Sequence, residues 1–120
     1  MEGDRSDRVN EPVNALRLMV YLGDSARRGW RPTYRRVVQM LHEEDIAGAT
    51  VLHGIEGYGG DRWIHTSSVL DLSSDLPVIV IAVDRREKIE GVLPKLEELV
   101  ERGLVTVEEV RVVLSRPIGL

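Results

Sequence analysis

The chain of 120 residues contains no cysteine and no phenylalanine. Without cysteine there are no disulfides, thiolate metal sites or cysteine nucleophiles, which fits a reducing compartment and makes the cytoplasm the expected location. With only two tryptophans and three tyrosines besides, the core must be built from Val, Leu and Ile. No apolar run approaches the roughly 20 residues of a membrane span, and the opening MEGDRSDR is polar rather than signal-like, so no membrane insertion is expected. A basic excess is also missing: the net charge of −4 argues against nucleic acid as a partner. There is no G-x-S-x-G and no H-E-x-x-H, and the Thr66-Ser67-Ser68 run after His65 is adjacency without a base–nucleophile geometry. Neither an enzyme activity nor a cofactor is expected.

What is present is sufficient for one domain that folds without staples. Residues 1–14 are polar, lack an apolar period and are expected to form a disordered tail, leaving residues 15–120 as the single domain. From Ala15 to Leu22, Leu16, Leu18, Val20 and Leu22 alternate with less apolar positions, the period of a strand. After a turn-rich loop, Pro32 suits the first position of a helix that places Tyr34, Val37, Val38 and Leu41 on one face and ends near Asp45. A second strand begins near Gly48, and Val78–Val83 is a third, apolar throughout. Ile89, Val92, Leu93, Leu96, Leu99 and Val100 give a second helix from Arg85 to about Arg102, with a kink expected at Pro94 and a stop at Gly103. Leu104–Glu109 reads as a short extended piece or turn, and Val110–Leu114 as the fourth strand.

This order predicts an α+β, ferredoxin-like βαββαβ fold: an antiparallel four-stranded sheet with two helices on one face. A sheet covered on one face does not explain a third strand apolar at every position, so another subunit is expected on the open face.

The chemistry-bearing stretch is Gly48 to Ser67, which begins as a strand and passes through Gly54, Gly57, Gly59 and Gly60 to Arg62, Trp63 and His65. Successive glycine amides can form a nest for an anion beside Arg62, although the same glycines can simply shape a hairpin. Tyr58 and Trp63 suit stacking on a flat base or packing against a subunit. Fourteen of the sixteen basic residues are arginine, and Arg27, Arg28, Arg31, Arg35 and Arg36 surround the start of the first helix, as an anion site or as solvated charge. His53 and His65 with Glu56 or Asp61 offer zinc-type ligands, against the plainer reading of His53 as a half-buried, hydrogen-bonded residue.

The pattern G-A-T-V-L-H-G-I-x-G-Y-G from Gly48 to Gly59, then Ile64-His-Thr-Ser67 and Asp75-Leu-Pro-Val78, resembles the PII-like signalling proteins, most of all the group known as domain of unknown function 190. The resemblance implies a homotrimer that binds a small anionic or nucleotide effector, commonly an adenine nucleotide, in clefts between subunits. A loop at residues 56–67 would report occupancy to a protein partner. The ligand-binding residues it suggests, together with the loop chemistry above, are Thr50, Gly57, Tyr58, Gly59, Gly60, Arg62 and His65. Two departures from PII proteins stand out: the loop is much shorter, and Glu101–Glu109, opposite their T-G-x-x-G-D-G-K phosphate loop, has one glycine and no lysine. A metal-binding trimer resembling copper-tolerance proteins is the alternative.

Overall fold

The computed structural model describes residues 13–59, 64–66 and 75–116. In chain order the elements are β1 (Val13–Gly23), β2 (Arg27–Arg28), β3 (Arg31–Pro32), α1 (Thr33–Glu43), β4 (Thr50–His53), β5 (Glu56–Gly57), β6 (His65–Thr66), β7 (Pro77–Arg85), α2 (Arg86–Leu99) and β8 (Leu104–Val112). The main sheet has the order β4-β7-β1-β8 with every neighbouring pair antiparallel. With α1 and α2 this is the expected ferredoxin-like plan, to which β2/β3 and β5/β6 add two small hairpins.

Alternation on β1 sorts the sheet into two faces. Leu16, Leu18, Val20 and Leu22 are buried with Val78, Val80 and Ala82 of β7 beneath the helices, and α1 contributes Val37, Met40 and Leu41 while α2 contributes Ile89, Val92 and Leu96. This Leu/Val/Ile interior is what a chain without phenylalanine requires. The opposite face carries Met19, Tyr21, Ile79 and Ile81 half-buried, with Leu52 49% and Leu104 56% exposed.

Boundaries moved where local geometry overrode the apolar pattern. β1 begins at Val13, because Val13 and Asn14 pair with Val112 and Arg111; the rest of the expected tail, residues 1–12, lies outside the described residues. Pro32 is the cap of α1 rather than its first helical residue. The helix stops at Glu43 because Asp45 takes a left-handed φ of 61°, and the Ile46 amide donates to the Leu41 carbonyl at 3.1 Å while the Asp45 amide donates to that of His42 at 3.1 Å. Those paired bonds close the helix end, and buried Ile46 packs back into the core.

The expected short piece at 104–109 and strand at 110–114 are corrected to one strand, β8, registered on β1 from Val13↔Val112 to Tyr21↔Leu104. Glu108 and Glu109 break the apolar pattern in sequence, but Arg17 holds Glu108 at 2.6 Å and Arg86 holds Glu109 at 2.5 Å. The segment opposite the PII phosphate loop is therefore mostly strand. Gly103 is not the helix stop, since α2 ends at Leu99; a Cβ at Gly103 would lie 2.5 Å from the Tyr21 carbonyl oxygen, so glycine is required by the close approach of two backbones.

α2 runs continuously through Pro94. The helix accommodates it because Pro94 and Glu90 are both exposed, so water reaches the side where the Glu90 carbonyl lacks its amide partner. Restoring that amide with Pro94→Ala is expected to raise stability by about 1–2 kcal/mol, the helix gain exceeding the lost rigidity of the unfolded chain. Urea denaturation checks this, and a lower midpoint would contradict it.

Candidate functional site

Strand β4 pairs with β7 from Thr50↔Ile81 to His53↔Val78, and the ladder then ends in a defined way. The Gly54 amide donates to the Pro77 carbonyl at 2.7 Å, after which the chain leaves the sheet and returns through a β5/β6 hairpin registered Glu56↔Thr66 and Gly57↔His65. The glycines of this excursion have different roles. A Cβ at Gly54 would stand 2.5 Å from the Pro77 ring, so glycine is needed there to lay the hairpin base against that ring, whereas one at Gly57 would stand 3.1 Å away, a tight approach that a small shift of the ring relieves. A Cβ at Gly59 would meet nothing within 4 Å among the described residues.

Of the residues singled out in sequence, Thr50 lies exposed on the open sheet face, Gly57 at the hairpin base and Gly59 beyond it, with Tyr58 61% exposed between them. His65 takes part in the hairpin through its backbone pairing. Gly60, Asp61, Arg62 and Trp63 lie outside the described residues. Ile55, Tyr58 and Ile64 leave three large apolar side chains exposed on the excursion, a feature of surfaces that meet a partner. Arg31 lies on β3 and Arg35 and Arg36 on α1, and the first two line a groove with Val51 of β4.

His53 makes an edge-to-face contact with Tyr34, ring centroids 5.6 Å apart. Its side chain is exposed rather than half-buried, because β4 is the edge strand of the sheet, and the ring contact stands where a hydrogen bond was expected. No cluster of three metal-ligating side chains occurs among the described residues. The Tyr34 contact had no signal in sequence, nor did a second feature, at the end of β1: Asp24 beside Asp75. The Ser25 amide donates to Asp75 Oδ1 at 2.8 Å and the Asp24 amide to the Leu76 carbonyl at 2.9 Å, tying the end of β1 to the start of β7.

Partial burial, then the hydrogen bond and negative charge of Asp75, hold the Asp24 carboxyl above its ordinary value of 3.8. A carboxyl that binds its proton more tightly when folded loses stability as pH rises from its unfolded value through its folded one. Asp24→Asn mimics the protonated form. It is expected to raise the melting temperature at neutral pH and to have little effect near pH 3, measured as the difference between variant and wild type; an equal shift at both pH values would contradict this.

Against this geometry, comparison with known proteins is direct. A protein of the UPF0166 group from Methanocaldococcus jannaschii is 37% identical over 101 residues, covering 83% of this chain and 93% of its own. A second, from Aquifex aeolicus, is 31% identical over 96 residues, covering 80% and 90%. Among solved structures, the PII-like nitrogen regulatory protein CPII of Thiomonas intermedia K12, bound to ADP, AMP and bicarbonate, superposes with a TM-score of 0.67 at 18% identity, covering 90% of this chain and 94% of that one. Its apo form gives 0.53 at 17% identity, covering 85% and 95%. These structures establish a shared PII-like fold. The model of domain of unknown function 190, described as uncharacterized ACR, matches residues 15–112. A split ferredoxin sheet, a glycine-containing excursion after its edge strand and a family match across nearly the whole folded region agree: the chain has a PII-like fold and belongs to the family of domain of unknown function 190.

Proposed function

We propose that this chain is a cytoplasmic, non-enzymatic signalling protein that assembles as a homotrimer and binds an adenine nucleotide in the clefts between subunits. The observation that carries the reading is the sheet face opposite the helices, where apolar Leu52, Ile79, Ile81, Val83, Met19 and Tyr21 lead to the edge from which the hairpin departs. A neighbour covering that face would stand beside Thr50 and the hairpin base. Thr50, Gly57, Tyr58, Gly59, Gly60, Arg62 and His65 are the ligand contacts in this reading, and residues 56–67 change state with occupancy to inform a protein partner. Support for the nucleotide comes from the similarly folded CPII, solved with ADP and AMP bound.

Calorimetric titration of the full chain with ADP, AMP and a cyclic nucleotide tests the proposal. Saturable binding of at least one is expected. Tyr58→Ala should weaken it about tenfold, the loss of one base-stacking contact of roughly 1–3 kcal/mol. Silence across the panel from folded protein would sink the nucleotide reading.

A further inference from the structure

A groove of about 620 Å³ runs along the flank of α1 above β4, lined chiefly by Arg31, Tyr34, Arg35, Val38, His42 and Val51. It lies away from the cleft proposed above. Successive residues of a strand face opposite ways, so Val51 enters the groove on the α1 side while Thr50 and Leu52 project from the open sheet face.

Its lining divides by chemistry. Tyr34, Val38 and Val51, all half-buried, form an apolar floor, and the edge-to-face contact with His53 steadies the Tyr34 ring. Arg35, Val38 and His42 recur at helical spacing along one flank of α1, a stripe of about 10 Å at 1.5 Å per residue, and Arg31 of β3 stands at its N-terminal end. Arg31 Nη1 donates to Gln39 Oε1 at 2.8 Å, which fixes that guanidinium along the groove. Arg35 has no hydrogen-bond or ion-pair partner among the described residues. Among the described residues no carboxylate lines the groove.

We propose that this groove is a second binding site, separate from the intersubunit cleft, for a small aromatic anion: a flat ring bearing a carboxylate or phosphate. The volume suits a molecule of that class. The anionic group is held by the Arg35 fork with Arg31 beside it, since guanidinium matches the paired oxygens of either anion. The ring lies over Tyr34, Val38 and Val51, where burial of its faces adds the apolar share of the affinity.

Phenyl phosphate is the probe, titrated into the full chain and followed by amide NMR. Saturable shifts are expected at residues 31–42 and 50–53. Arg35→Gln, a change at an exposed position that leaves the core intact, should weaken binding about tenfold or more, as should replacing the probe by uncharged benzyl alcohol. Arg102→Gln, which removes the same charge from the turn after α2, should leave affinity unchanged, and so should Tyr58→Ala. The last variant separates this site from the nucleotide cleft, so either proposal can fail alone. An Arg35→Gln protein that binds phenyl phosphate as tightly as wild type, equal losses in Arg102→Gln, shifts confined to other segments, or no saturable binding would each overturn the proposal.

Discussion

Replacing Ile81 by aspartate is expected to convert the assembly into folded monomers. Ile81 stands opposite Met19 on β1 and Thr50 on β4, at the middle of the sheet face that the helices leave uncovered. In a trimer closed over that face, each subunit would lose about 2–3 kcal/mol of apolar burial and would also place a carboxylate in a dry contact. Together these costs raise the dissociation constant by several powers of ten. The monomer should survive, because the core lies on the other face with Val80 and Ala82. Sedimentation velocity reads the size and circular dichroism the fold. A variant that sediments like wild type would show that this face is not the contact.

The second large effect concerns the core itself. Leu18 is fully buried at the centre of β1, directly between Ala82 of β7 and Val107 of β8, and belongs to the cluster that includes Leu41, Ile89 and Leu96. Leu18→Ala is expected to cost about 3–4 kcal/mol, from lost transfer energy and the cavity left between sheet and helices. For a domain whose total stability is on the order of 5–15 kcal/mol, that is a large fraction. Urea denaturation measures it. A cost below about 1 kcal/mol would mean that the site collapses around the change and is not the tightly packed centre described.

Much of the architecture was legible because it is written in periods. The alternation on β1, the stripe Tyr34-Val37-Val38-Leu41 on α1 and the apolar run of β7 follow from burial, which sequence expresses directly. β8 was misjudged because its middle holds Glu108 and Glu109, which suit a strand only through Arg17, 91 residues away, and Arg86, 23 residues away. Long-range partners leave no local signature. The end of α1 was misplaced for the opposite reason, a wholly local one: Asp45 adopts the left-handed conformation that glycine usually marks.

The candidate site was legible as a stretch rather than as an arrangement. Gly54 and Gly57 stood out in sequence as candidates for flexibility or phosphate binding, whereas in the fold both lie against Pro77, 20 or more residues on, and at Gly54 that close approach requires glycine. Thr50 and Val51 are adjacent in sequence yet serve opposite faces, one toward the open sheet and the other toward the groove beside α1. The arginines before and within α1 were visible from the start, but the apolar floor beside them appears only when β4 is laid under the helix.

The central claim is a trimer that takes nucleotide between its subunits, and native mass spectrometry of the full chain with ADP tests both parts at once. The expected species has three times the 13.5 kDa chain mass and acquires up to three ADP molecules. A monomer at micromolar concentration, or a trimer that takes up no ADP, would contradict it.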